Sequence, residues 1–450
     1  MTHCNRDTLD FSRLGSKPVV ADFQGGRLTT DAGALLLREV GDDIGFFDAL
    51  DAAIPDPRHP VFIVHEQRAM LAQRVIAIAL GYEDLNDHQD LRADPALQVA
   101  AGKVPDKDLP LASPPTLCRL ENRVDRKALV KIAEAFVDQF IASHATPPVH
   151  LILDFDATDD RVHGRQEGRF FHGYYDHHCF LPLYVFCDDE LLVPYLRPSN
   201  IDGAKHTRAV LKLLVRKLRG AWPDVKITMR GDSGFCRWRL LRWCDSHGIG
   251  YVIGLAKNSV LQRGAADELA RAKRQFERTG QPQRLFGSFS YAASTWDRKR
   301  RVIAKAEHNA QGSNPRFIVT NVPGDPQGLY DEVYCQRGEM ENRIKEQQLD
   351  LFADRTSCHR FLSNQFRLFL SSAAYVLVQA LRRTALCGTE LARAQVGTIR
   401  LKLFKVAARV VVSARRVVFH LASSYPYQEA FRSVYERLRS PQPSLAAGSG

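Results

Sequence analysis

A chain of 450 residues is long enough for about three domains with large hydrophobic cores. Lys and Arg outnumber Asp and Glu by 62 to 51, which indicates a polyanionic partner such as nucleic acid, with a merely basic protein as the alternative. The nine cysteines form no CxxC pair, and no apolar stretch reaches the ~20 residues of a transmembrane helix. These features argue against a full disulfide framework and exclude a helical membrane span. We expect a reduced, cytoplasmic protein without a secretory signal.

Residues 1–145 predict a helical domain after a short extended start. Apolar residues recur at helical spacing over 64–80, and the sequence SPPT at 113–116 is a helix-start signal. The helix that it opens carries Arg119 and Arg123, which are candidate DNA contacts. A plain helical bundle is the alternative interpretation of this domain.

The next region, 146–258, predicts five strands and two helices. In chain order they are strands 149–155, 180–187 and 191–196, helix 205–218, strand 225–229, helix 237–246 and strand 251–255. This order is typical of an α/β fold with a ribonuclease H-like core. Strands one and four are neighbours in that arrangement, so Asp154 and Asp156 on the first would meet Asp232 after the fourth.

The remaining chain completes the predicted architecture. We expect an inserted β-rich subdomain at 259–315, a second part of the core at 316–390, a helical basic region at 391–440 and a flexible tail at 441–450. One helix of the second core part carries Arg337, Glu341 and Lys345 on one face, because they are spaced by four. The basic region includes Lys405 and Arg409, which suit a surface that binds DNA backbone, although a solvated helix face is the alternative.

Three carboxylates on three distant elements are a plausible site for two Mg²⁺ ions, with Mn²⁺ as a possible substitute. The candidates are Asp156, Asp232 and Glu341, although each of them alone is more simply interpreted as a surface carboxylate. Asp154 points to the same face of its strand as Asp156 and is the alternative first acid. Glu339 is the alternative to Glu341. We expect Asp159 and Asp160 to be solvated turn residues.

Tyr334, Arg337 and Glu341 have the spacing Y-x2-R-x3-E. This pattern resembles the signature of bacterial insertion-sequence DDE transposases, and within them the family numbered thirteen-eighty. The resemblance covers most of the chain and includes DFQGGRLTTDAGALLL, GYEDLNDHQDLRADP, SPPTLCRLENR, LDFDATDD and MRGDSGF. The first acid of that family lies in an Asp-x-Thr motif, and Asp156 has this register.

The resemblance implies a cut-and-paste DNA transposase with Asp156, Asp232 and Glu341 as catalytic acids. Its partners would be double-stranded DNA, both terminal inverted repeats and target DNA of TTAA type, and a second copy in a homodimer. Tyr334 and Arg337 would contact phosphate near the scissile bond. The wider pattern has a Lys seven residues after the Glu, where this chain has Gln348, and Lys345 would substitute.

The inserted region contains Trp296 beside Arg298 and Arg300. The resemblance implies that an aromatic residue here holds a flipped base, and packing in a small β-domain is the alternative.

Three other functions compete with a transposase: a nuclease that cuts without rejoining, a catalytically dead DNA-binding regulator, and a helical scaffold. The retained acids disfavour the regulator, and the Y-x2-R-x3-E spacing disfavours the scaffold. A zinc site is disfavoured because the group His163, His172, His177, His178 and Cys179 matches no standard finger.

Overall fold

The computed structural model describes residues 8–440. The tail predicted at 441–450 lies outside the described residues. The chain divides into two compact units, one formed by residues up to 120 together with those from 377 onward, and one formed by residues 121–376. No helix within the described residues is long and apolar enough to cross a membrane.

Seventeen strands lie within residues 8–440. They are β1 (Thr8–Leu14), β2 (Lys17–Asp22), β3 (Leu28–Thr29), β4 (His150–Ala157), β5 (Asp160–Arg161), β6 (Phe170–His172), β7 (His177–Phe180), β8 (Leu183–Cys187), β9 (Glu190–Tyr195), β10 (Lys226–Gly231), β11 (Gly250–Leu255), β12 (Gln283–Tyr291), β13 (Arg300–Asn309), β14 (Gly312–Ser313), β15 (Arg316–Thr320), β16 (Ala408–Val412) and β17 (Val417–Leu421).

Sixteen α-helices lie in the same part of the chain. They are α1 (Ala34–Asp43), α2 (Phe46–Ala53), α3 (Gln67–Leu80), α4 (His88–Leu91), α5 (Pro95–Ala100), α6 (Pro114–Arg123), α7 (Arg126–Ala142), α8 (Thr207–Ala221), α9 (Trp238–Ser246), α10 (Ser259–Gly264), α11 (Ala266–Thr279), α12 (Pro326–Gly328), α13 (Arg337–Leu351), α14 (Phe361–Leu381), α15 (Val396–Ile399) and α16 (Gln428–Arg439).

The unit that contains both ends of the described chain has a helical core. The predicted helix at 64–80 is present as α3, and nearly all of its residues are buried. The prediction of a helical region at 391–440 is wrong over β16 and β17, which form an antiparallel hairpin that pairs with β3. The reason is local, because a run of β-branched valines on each side of a short turn favours strands over helix.

The other unit is built on a mixed nine-stranded sheet. Its main strand order is β12-β13-β15-β11-β10-β4-β8-β9, with β14 paired to β13. β10 is parallel to both β4 and β11, and every other pair is antiparallel. Strands one and four of the prediction, β4 and β10, are therefore neighbours as expected. Each residue of β10 except the first is buried, as expected for a central strand.

Two boundaries differ from the sequence prediction. Strands β12, β13 and β15 continue the main sheet beyond β11, so the region expected as a separate inserted subdomain is an extension of that sheet. α7 was expected in the N-terminal domain, but Val137 and Phe140 pack in the hydrophobic core of the sheet. The division between the units accordingly falls near 120 and not at 145.

Candidate active site

Three elements bring the predicted acids to one place. β4 carries Asp156 near its end, Asp232 directly follows β10, and Glu341 lies in the first turns of α13. Because β4 and β10 are parallel neighbours, with Gly231 opposite Phe155, their carboxyl ends lie at the same edge of the sheet. α13 packs against β4 and completes the site.

Asp154 is held in a buried ion pair. Its two carboxylate oxygens accept hydrogen bonds from Nε and Nη2 of Arg230, the latter at 2.6 Å, and its side chain is 2% exposed. Burial raises the pKa of Asp154, and Arg230 opposes that shift. Asp156 is only partly buried and has no such partner among the described residues, so it is the β4 carboxylate that a ligand could reach.

The Asp156 carboxyl lies close to charged side chains of both signs. Burial raises its pKa to about 6, the positive charge of Arg337 opposes this, and the negative charges of Asp232 and Glu341 add to it. Arg337 Nη2 lies 2.6 Å from Glu341 Oε1. The Arg337 guanidinium therefore lies among the three acids and partly neutralises them.

Asp232 has a second, local role. It caps the short 3-10 turn Ser233–Phe235, where its Oδ1 accepts a hydrogen bond from the Gly234 amide at 2.8 Å. This contact fixes one oxygen of the carboxylate and orients the other. The motif RGDSGF thus encodes a strand end, a capping acid and the turn that it caps.

Arg230 on β10 joins this strand to β4 and to the helical turn that precedes α13. Besides its pair with Asp154 on β4, its Nη1 donates to the carbonyl of Val333, which precedes Tyr334. Arg230 itself lies two residues before Asp232. The sequence analysis did not identify this residue, although its alternation with Asp232 along β10 and the position of Asp154 on the neighbouring strand could have indicated it.

Comparison with known proteins decides the family. The model of transposase DDE domain group 1 matches residues 11–443. The chain belongs to this family. This transposase is also similar to a solved piggyBac transposase synaptic complex with hairpin DNA, at 13% identity and a TM-score of 0.45, over 92% of this chain and 83% of that one. A comparison with curated protein sequences finds no match.

Gly254 on β11 of this transposase lies so close to Tyr334 and Ser233 that a side chain at this position would not fit. A Cβ atom there would lie 2.6 Å from Tyr334 Oη and 2.8 Å from the Ser233 amide nitrogen. The sequence analysis missed this residue as well. Burial raises the pKa of Tyr334, with Arg337 opposing and Asp232 adding to the shift, so its phenol stays protonated beside the acids.

Gly254→Ala is therefore expected to displace Tyr334 and the backbone that follows Asp232, because the added methyl meets atoms that cannot rotate away. We expect overpacking to lower the free energy of unfolding by about 1–3 kcal/mol. Cleavage should fall by more than the smaller fraction of folded protein explains. Urea unfolding and end-cleavage rates measure the two effects. Gly248→Ala is a poor control because of its positive φ, whereas Gly220→Ala has open space around it. Equal cleavage by Gly254→Ala and Gly220→Ala would contradict the prediction.

Trp296, which was predicted to stack a base, and its neighbours Arg298 and Arg300 form a separate cluster. Trp296 packs against the sheet core and beside Tyr291, with the guanidinium of Arg300 over its ring at 5.5 Å. Arg300 is buried and pairs with Asp245, which also pairs with Arg298 at 2.6 Å. This arrangement favours the packing interpretation of Trp296, and the stacking role stays a prediction.

Other predicted residues have varied surroundings. Lys345 and Glu339 are exposed, whereas Gln348 donates to the Asp159 carbonyl at 3.2 Å, which connects α13 to the chain after β4. The expectation that Asp160 is solvated is wrong, since it lies in β5 with its carboxyl 2% exposed. Its neighbour Asp159 is 2.8 Å from His177 Nε2.

The predicted DNA contacts outside the core differ in exposure. Arg119 and Arg409 are exposed, and Arg123 is half-buried. Lys405 lies 2.6 Å from the buried Asp31 carboxylate and 4.2 Å from the centre of the Tyr82 ring, so it has partners within its own unit.

Within residues 8–440, no three His, Cys, Asp or Glu side chains are grouped as they would be around a metal ion. At the candidate site, Arg337 holds Glu341 instead. The oxygen chemistry of Asp156, Asp232 and Glu341 nevertheless suits a hard divalent cation. Burial, with a smaller addition from Asp232 and Glu341, raises the pKa of Asp156, and a bound cation would stabilise its ionised form.

Proposed function

We propose that this transposase moves an insertion sequence of the bacterial family numbered thirteen-eighty by a cut-and-paste route. The observation that carries the proposal is the convergence of Asp156, Asp232 and Glu341 around Arg337 at one edge of the sheet. The Y-x2-R-x3-E spacing that defines the resemblance supplies two of these four side chains.

The sheet order supports a ribonuclease H-like core. The strands β4, β8, β9, β10 and β11 stand in the spatial order β9-β8-β4-β10-β11. The first three form antiparallel pairs, and β10 and β11 run parallel to β4. In such a core the catalytic acids belong on the first strand and after the fourth, where Asp156 and Asp232 lie.

The three acids would hold Mg²⁺, or Mn²⁺ in its place, with water and DNA phosphate as the remaining ligands. When bound, a pair of such ions supplies Lewis-acid activation of water and stabilisation of the leaving oxygen. For Glu341 to serve as a ligand, Arg337 has to release it. The guanidinium could then bind a DNA phosphate through two parallel hydrogen bonds, which a Lys cannot make.

DNA recognition would involve both units. The helices up to residue 120 and the basic C-terminal segment belong to the same compact unit, which supports a joint role in binding terminal inverted repeats. Arg119, Arg123 and Arg409 are the proposed contacts, with Lys405 less accessible because of Asp31. Tyr334 and Arg337 would contact the phosphate at the scissile bond. A homodimer would hold two ends together.

The test is end cleavage followed by strand transfer, with labelled end DNA of the parent element, a target plasmid and Mg²⁺. A transposase of this kind nicks at the end of the element, and the freed 3′-hydroxyl then joins the opposite strand or the target. Cleavage without joined products would instead favour a nuclease. Binding with a steep salt dependence but no cleavage would favour a regulator.

A further inference from the structure

The hairpin of β6 and β7 adjoins the candidate active site. It forms a small three-stranded sheet with β5, in the order β5-β7-β6. Beside the turn of the hairpin, where His172 pairs with His177, His177 Nε2 lies 2.8 Å from Asp159 Oδ2, and Asp159 is three residues after Asp156. Gln348, two helical turns after Glu341, donates to the Asp159 carbonyl. Asp159 therefore links the turn end of the hairpin to the segment that follows β4 and to α13.

Aromatic rings cluster at the turn of this hairpin. The Tyr174 side chain is 85% exposed, and its ring centre lies 5.0 Å from that of Tyr175 at an interplanar angle of 85°. The Tyr175 ring in turn lies 4.9 Å from His172 and 6.1 Å from His177. The turn end of the hairpin, where His177 meets Asp159, is thus aromatic.

The turn holds Tyr174 in this exposed position. The amides of Tyr175 and Asp176 both donate to the His172 carbonyl, at 3.1 and 2.8 Å, and Asp176 has a left-handed backbone with φ of 56°. Tyr174 is therefore presented to solvent by a hydrogen-bonded turn, with its ring against that of Tyr175.

The charges beside the hairpin favour a polyanion. Arg161, Arg165 and Arg169 make no ion pair with any described residue. Their acidic neighbours are mostly engaged, since Asp159 pairs with His177, and Glu167 Oε2 accepts a hydrogen bond from the Phe361 amide. Asp176 is the exposed exception. An exposed ring on a hairpin whose flanking segment carries unpaired arginines combines the aromatic and cationic groups that bind unpaired nucleic acid.

We propose that Tyr174, backed by Tyr175, stacks an unpaired DNA base beside the active site, while Arg161, Arg165 and Arg169 bind the adjoining phosphates. The proposal rests on the proposed position of the active site at Asp156. Opening a duplex at the scissile bond exposes bases that have lost their stacking partners, and an exposed ring compensates this loss. The occupant is an unpaired base of DNA, either at the element end or in the target.

The test measures binding of the full chain in EDTA, so that its result does not depend on cleavage. The probes are a blunt DNA duplex and the same duplex with a short unpaired extension containing 2-aminopurine, whose fluorescence falls on stacking. Probes with the sequence of the element end and probes with the sequence of the target are tested separately. Tyr174→Leu removes the ring, and Tyr174→Phe retains it. Phe171→Leu is the matched control, because Phe171 is 55% exposed and lies on the opposite face of the same hairpin, beside His178.

We expect the wild-type chain to prefer the extended probe, and Tyr174→Leu to reduce that preference by about tenfold with little change on the blunt duplex. Tyr174→Phe and Phe171→Leu should keep the preference. The proposal is overturned if the wild type shows no preference, if Tyr174→Leu keeps it, or if Tyr174→Leu weakens both probes equally. If Tyr174→Leu changes the sedimentation of the chain but keeps the preference for the extended probe, this face is instead an interface between two copies.

Discussion

Asp156→Asn is expected to lower DNA-end cleavage by about a thousandfold or more, because it removes a negative ligand from a site that must stabilise charge on transferring phosphate. DNA binding should persist, since the substitution removes no positive charge. Asp232→Asn and Glu341→Gln should behave alike. Cleavage rates with Mg²⁺ and binding in EDTA measure the two properties separately.

The chain offers matched controls for two of these acids. Glu339→Gln changes the exposed alternative to Glu341 and should retain cleavage. Asp154→Asn weakens the buried pair with Arg230, so its main expected effect is a lower free energy of unfolding. If Asp154→Asn abolished cleavage at unchanged stability while Asp156→Asn cut normally, the first acid would be Asp154, and Arg230 would have to release it.

The sheet core was predictable because its strands are short, apolar and bounded by turn residues. β4, β8, β9, β10 and β11 all lie within a few residues of their predicted bounds. The hairpin of β6 and β7 was missed, since its sequence, FFHGYYDHHCF, is rich in aromatic and polar residues and has no clear alternation of buried positions. The hairpin forms because β7 pairs with β5 as well as with β6, and the alternation of residues along the sequence does not reveal this pairing.

The acids of the site were predictable from strand ends and motif spacing, but their partners were not. Strand geometry does not distinguish Asp154 from Asp156, because both point to the same face of β4, and only the Asp-x-Thr register of the resemblance favoured Asp156. The difference arises across the sheet, where Arg230 lies directly opposite Asp154 in register. Burial of Arg300 and of Asp160 likewise depends on tertiary packing, so both looked like surface charges in the sequence.

Arg230→Met is expected to impair both stability and cleavage. It leaves the Asp154 carboxylate buried without its bidentate partner, which should cost about 3–5 kcal/mol of the free energy of unfolding. It also removes the hydrogen bond to the Val333 carbonyl, which holds the start of the segment that carries Tyr334 and Arg337. Urea unfolding and end-cleavage rates measure the two losses.

A double variant separates these two roles of Arg230. Arg230→Met combined with Asp154→Leu replaces a buried ion pair by apolar side chains of similar volume, which is often neutral or stabilising. The double variant should regain most of the stability that Arg230→Met loses, and the coupling between the two sites follows from the mutant cycle.

Cleavage by the double variant should stay low, because the Val333 carbonyl still lacks its donor and the segment that carries Tyr334 and Arg337 is no longer held to β10. Binding in EDTA should be retained, which would show that the defect concerns positioning of the acids and not DNA recognition. A double variant that is both stable and fully active would mean that Arg230 only compensates the charge of Asp154. In that case the alignment of Asp156, Asp232 and Glu341 would depend on the sheet register and on the packing of α13 alone.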